Sequence, residues 1–114
     1  MPQENNVATL GKSVKIIGQI SSSQDLYVNG DLDGSIDAAG HTVTVGPDGT
    51  VRANIKAGTV VIIGTLRGNI EAGNKTEIRQ NARLEGDVRT PSIVVEDGAY
   101  FKGGIDIVRQ HVNG

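Results

Sequence analysis

One five-residue unit recurs six times along this chain, and it constrains the fold more than any other feature. The unit reads apolar, any, Gly or Ala, any, apolar. It occurs as Ile16-Ile17-Gly18-Gln19-Ile20, Leu32-Asp33-Gly34-Ser35-Ile36 and Val51-Arg52-Ala53-Asn54-Ile55. It continues as Leu66-Arg67-Gly68-Asn69-Ile70, Leu84-Glu85-Gly86-Asp87-Val88 and Phe101-Lys102-Gly103-Gly104-Ile105. The copies start at 16, 32, 51, 66, 84 and 101, so the steps are 16, 19, 15, 18 and 17, with a mean of 17. Between them lies an apolar-any-apolar triplet: Leu26-Tyr27-Val28, Val43-Thr44-Val45, Val60-Val61-Ile62 and Ile93-Val94-Val95, with Thr76-Glu77-Ile78 as the imperfect member. Self-similarity at such a period marks a stack of identical supersecondary units.

The geometry of one unit follows from strand periodicity. Residues two apart on a strand face the same side, so the first, third and fifth residues of the larger unit are expected to point inward. The small middle residue suits a narrow interior. Turn chemistry marks the corners, as in Asn29-Gly30, Gly46-Pro47-Asp48-Gly49 and Glu96-Asp97-Gly98. No segment keeps a 3.6-residue apolar period for ten residues. These features predict an all-β, single-domain parallel β-helix with about six rungs of roughly 17 residues. The expected organisation is a flexible N-terminal tail over 1–13, a β-helix domain over 14–108 and a C-terminal tail over 109–114.

Polar rows support the same register. The residue after each larger unit is Ser21, Asp37, Lys56, Glu71, Arg89 and Asp106, and after Ser21 the charge alternates in sign. Stacked strands lie about 4.8 Å apart, so each charge is expected between two of opposite sign. The second positions read Asp33, Arg52, Arg67, Glu85 and Lys102, with one like-charged step from Arg52 to Arg67. Exposed ion pairs stabilise by only about 0–1 kcal/mol each. Their larger effect is to disfavour slipped registers, in which like charges meet.

Several function classes are disfavoured by composition. The chain of 114 residues carries 11 basic and 13 acidic side chains, a formal charge of -2, so no basic footprint for nucleic acid is expected. Its aromatic residues are Tyr27, Tyr100 and Phe101, too few for a base-stacking or sugar-binding platform. Cys is absent, which removes disulfides and thiolate metal sites and fits a reducing compartment. No apolar run approaches a membrane span, and the opening Met1-Pro2-Gln3-Glu4-Asn5-Asn6 lacks the pattern of a signal peptide.

Candidates for catalysis are sparse. His41 and His111 are two histidines where a hexapeptide-type zinc site needs three, so no metal or other cofactor is expected. Asp31, Asp33 and Asp37 resemble an acidic cluster, but Asp33 and Asp37 belong to the charge rows and Asp31 to a turn. Asn74-Lys75-Thr76 matches a short glycosylation pattern of low specificity. Thr42-Val43-Thr44 is one step of a threonine array that neighbouring rungs do not continue. An acyltransferase on a hexapeptide β-helix is the alternative reading. It calls for a strict six-residue period, which the uneven spacing here lacks.

The ends of the stack carry a different signal. Terminal rungs of a solenoid leave backbone N–H and C=O groups unpaired, a template for another chain. No segment reads as a capping helix, and the last rung is the most apolar, with Tyr100, Phe101, Ile105, Ile107 and Val108 in one stretch. The expected polymer interface is therefore Tyr100, Phe101, Ile105 and Ile107 at one end, with Val14 and Ile16 at the other.

The recurrent Val/Leu/Ile-x-Gly-x-Ile units resemble the bactofilin family of bacterial cytoskeletal proteins. So do Leu26-Tyr27-Val28-Asn29-Gly30, Leu84-Glu85-Gly86-Asp87-Val88 and the closing Gly98-Ala99-Tyr100-Phe101-Lys102-Gly103; the likeness covers roughly 14–107. The resemblance implies a right-handed β-helix, no enzyme activity, and end-to-end polymerisation of a homopolymer without nucleotide. It further implies a cytoplasmic cytoskeletal scaffold in cell shape or cell-wall assembly, with cell-wall enzymes as partners. Contact with the inner face of the cell membrane through an N-terminal tail is also implied; Val7 and Leu10 are the apolar residues there that would carry it.

Overall fold

The computed structural model describes residues 7–11 and 13–108, and every element in it is a β-strand. The early strands are β1 (Val7–Leu10), β2 (Lys15–Ser21), β3 (Asp25–Val28), β4 (Asp31–Val45) and β5 (Thr50–Ile62). They are followed by β6 (Thr65–Arg67), β7 (Ile70–Ile78), β8 (Arg83–Glu85) and β9 (Val88–Thr90). The last are β10 (Ile93–Val95), β11 (Tyr100–Lys102) and β12 (Ile105–Ile107). All pairings between them are parallel.

Pairing follows the repeat position by position. Ile16 lies beside Leu32, then Val51, Leu66, Leu84 and Phe101 in turn. The triplets stack likewise, from Ala8 through Leu26, Val43, Val60 and Thr76 to Ile93. The protein is thus a parallel β-helix. Its six copies of the larger unit bracket about five turns of coil, one fewer than the count of copies suggests. Val7–Leu10 already pair with Asp25–Val28, so backbone within the expected tail continues the stack as β1 on β3. The segment 109–114, with His111, lies outside the described residues.

The core is a tube of aliphatic rows. Leu32, Val51, Leu66 and Leu84 form one buried row, and Ile36, Ile55, Ile70 and Val88 another. Burying each such side chain contributes roughly 1.5–3 kcal/mol. Uneven steps in the sequence arise at the corners. Ala38 stacks on Ala57 and Thr42 on Thr59, so three residues span that corner in one rung and one residue, Gly58, in the next.

The small central residue has a different cause from the one its pattern suggests. Gly34, Gly68, Gly86 and Gly103 have φ between +138° and +145°, where side chains are strained. A Cβ on Gly86 would meet the carbonyl oxygen of Gly68 in the rung before it. The missing Cβ therefore points along the stack, not into the interior. Ala53 is the exception: it is absent from the positive-φ residues and its methyl is buried in the core.

Candidate assembly interfaces at the two ends

Each end of the stack consists of strands paired on one side only. At the N-terminal end, β1 pairs with β3 and β2 with β4. At the C-terminal end, β10, β11 and β12 pair back onto β7, β8 and β9. Among the described residues no further strand covers either edge. An edge of this kind offers N–H and C=O groups that can continue a ladder.

Side chains tell the same story within single rows. Val88 is 1% exposed, and Ile105, the next member of its row, is 42% exposed. Ile78 is fully buried, while Val95 above it is 48% exposed. Row position is unchanged in each pair; among the described residues, only the covering rung differs.

The expected interface residues divide by location. Ile105 and Ile107 are exposed members of inward rows, and Phe101 is half-buried against the core. Tyr100 is exposed on the outer side, with the Arg83 guanidinium 5.0 Å from its ring centroid, a cation–π contact. At the other end Val14 is exposed and Ile16 half-buried against the core. Outside that expected set, Val94, Val95 and Val108 near the C-terminal end and Ile17 near the N-terminal end are also exposed apolar residues. Ile17 is 76% exposed, and it stands in the row otherwise filled by Asp33, Arg52, Arg67, Glu85 and Lys102. That break in a charged row was a visible signal. Val7 and Leu10 are placed as members of β1, with their side chains outside the described residues.

Polar side chains order the outer surface. In the second-position row, Arg52 Nε lies 3.5 Å from Asp33 Oδ2 and Arg67 Nε lies 3.3 Å from Glu85 Oε1. A ladder at the corner after the glycines was not anticipated. The N–H of Asn69 donates to Asn54 Oδ1, that of Asp87 to Asn69 Oδ1, and that of Gly104 to Asp87 Oδ1 at 3.1 Å. Recurrent Asn and Asp at one offset in the repeat is its sequence signature. Glu77 accepts ion-pair contacts from Lys75 Nζ and Arg79 Nη2, each at 2.8 Å. The Lys75 hydrogen bond chiefly, with the charges of Lys75 and Arg79, holds the Glu77 carboxyl below its ordinary pKa against the opposing effect of burial.

The residues weighed for catalysis are dispersed. His41 Nδ1 lies 3.7 Å from Asp25 Oδ1, which also accepts the Thr42 N–H at a corner. Asp33 is occupied by Arg52. No group of His, Cys, Asp and Glu able to hold a metal ion occurs among the described residues. No helix long and apolar enough to cross a membrane occurs among them either.

Comparison with known proteins gives a consistent result. The model of the Bactofilin family, described as polymer-forming cytoskeletal, matches residues 8–106. Bactofilin BacO of Myxococcus xanthus (strain DK1622) is 38% identical over 98 residues, which cover 86% of this chain and 77% of that protein. Bactofilin BacP of the same strain is 34% identical over 98 residues, covering 86% of this chain and 40% of that protein. The chain thus spans well under half the length of BacP. No solved structure matches it.

Proposed function

The chain belongs to the bactofilin family of polymer-forming cytoskeletal proteins, and from that premise we propose that it is a structural subunit polymerising end to end. In this reading the one-sided strands at each end pair with those of the next subunit, and no nucleotide is consumed. The filament serves as a scaffold in cell shape or cell-wall assembly at the cytoplasmic side of the envelope, and the protein is not an enzyme.

One observation carries the reading. Inward rows that are sealed in the interior of the stack open to solvent in the last rung, at Val95, Ile105 and Ile107. Stacking another subunit there would bury the same residue types that each interior rung buries. The stacked strands would also satisfy the edge N–H and C=O groups, which removes the liability of an open edge.

The test is analytical ultracentrifugation of the purified chain in buffer free of nucleotide and divalent metal. Large, concentration-dependent assemblies are expected at tens of micromolar. A stable monomer under those conditions overturns the proposal.

A further inference from the structure

One face of the β-helix is built for a partner of a particular periodicity. After the neutral Ser21, its outward side chains form a single charged row, Asp37, Lys56, Glu71, Arg89 and Asp106, stacked in register from β2 to β12. All five are exposed. The row is flanked by a groove on each side. One groove runs past Asn54, Asn69 and Asp87, and the other past Gly58, Gly73 and Asn74. Within the chain the row is weakly used. Arg89 Nε reaches Asp106 Oδ2 at 3.7 Å, while Asp37, Lys56 and Glu71 have no ion pair among the described residues.

Alternating charge at the rung spacing selects the occupant. The row has a step of about 4.8 Å. A helix repeats about every 5.4 Å and drifts roughly half a rung over the four steps. An extended peptide, with same-face residues about 6.7 Å apart, drifts by more than a whole rung and meets like charges. Only another stack of strands keeps step along the whole row, and the stack at hand is a second copy of this chain.

We propose that this face docks onto the same face of a second, antiparallel copy, with the two-fold axis between Lys56 and Glu71. A two-fold contact must be self-complementary. With the axis there, Lys56 faces Glu71 of the partner subunit, and Asp37 faces Arg89 of the partner subunit. Asp106 faces the neutral Ser21 of the partner subunit, every facing pair of two charges is of opposite sign, and each ridge of charges lies beside the other copy's groove. The contact is lateral. It therefore goes beyond end-to-end assembly and does not require it, although repetition along a filament would multiply a contact that is weak in a single pair.

Mass per unit length, from scanning transmission electron microscopy of unstained filaments, tests the proposal. At about 0.02 M salt the parent is expected to show twice the mass of a single strand of subunits, falling to the single value near 0.5 M as screening grows. Lys56→Glu should give the single value at low salt. The double variant Lys56→Glu/Glu71→Lys should recover the doubled value, because both facing pairs regain opposite sign. An axis one rung further along, between Glu71 and Arg89, would leave the double variant with like charges opposed. Circular dichroism checks that each variant, changed only at exposed positions, remains folded. A single-strand value for the parent, a doubled value for Lys56→Glu, or no recovery in the double variant overturns the proposal. Should no filaments form, the end-to-end reading fails on its own, and sedimentation velocity at low salt reads the lateral contact as dimer against monomer across the same three proteins.

Discussion

Phe101 sits in register on Leu84, yet Leu84 is sealed from solvent and Phe101 is only half-buried. The two residues occupy the same inward row, one rung apart. Their difference arises because, among the described residues, no later rung covers Phe101. Docking a subunit there would complete its burial, worth up to about 1.5–3 kcal/mol for a side chain of this size. Phe101→Arg would instead place a charge at the junction, where docking must strip its water. The variant is expected to be folded and soluble but non-filamentous, because solenoid stability is approximately a sum over neighbouring rungs. Pelleting and circular dichroism on one sample check this. Persistent filaments would move the interface elsewhere, and loss of the fold would make Phe101 an ordinary core residue.

Glycine at the corner is a backbone requirement, and two alanine substitutions separate it from mere smallness. At Gly86, φ is +139° and an added Cβ runs into the Gly68 carbonyl oxygen. At Gly73 nothing lies within 4 Å of the added atom. Gly86→Ala is expected to destabilise by about 1–3 kcal/mol, and Gly73→Ala by well under 1 kcal/mol. Urea unfolding of both variants measures the difference. Equal midpoints would show that the corner accepts side chains.

Thr76 interrupts an aliphatic row formed by Leu26, Val43, Val60 and Ile93. It is fully buried, and its hydroxyl has no hydrogen-bond partner. A buried unsatisfied hydroxyl costs about 1–3 kcal/mol. Thr76→Val keeps the shape and removes that cost, so the melting temperature should rise. A fall would mean that the hydroxyl is satisfied in solution.

Acid should weaken the protein partly through Glu77. Its folded-state pKa lies below the ordinary value because of the Lys75 hydrogen bond and the nearby charges of Lys75 and Arg79. The unfolded chain therefore takes up the proton first as pH falls. The contribution is present above the ordinary glutamate pKa of about 4.3 and is lost as pH drops through the lower folded value. Glu77→Gln should lower stability at pH 7 and flatten the decline below pH ~4.3. Unfolding midpoints of parent and variant across that range decide it. Parallel curves would remove Glu77 from the acid response.

Rows were the most legible part of this structure. Asp37, Lys56, Glu71, Arg89 and Asp106 align in the sequence as they stack in space. Each rung repeats one strand pattern, so a single alignment carries every register. Corners were less legible, because Gly and Ala look equivalent in a pattern of small residues. Ala53 turns its methyl into the core, whereas the glycines bring backbone against backbone along the stack. Strand β1 was missed for a related reason. Val7–Leu10 carries no copy of the larger unit, and its strand character comes from pairing with β3. At the ends, the apolar character of Ile105 and Ile107 is visible in sequence and the structure leaves both exposed, whereas the exposure of Val95 is hidden because its triplet looks like every other.

Fibre diffraction from aligned filaments tests end-to-end stacking most directly. Strands in this fold run across the rod, and adjacent strands repeat about every 4.8 Å along it. If subunits stack rung on rung, the rods lie along the filament and a strong reflection near 4.8 Å falls on the meridian. If subunits join side by side instead, the rods lie across the filament and that reflection moves to the equator, which would contradict the account.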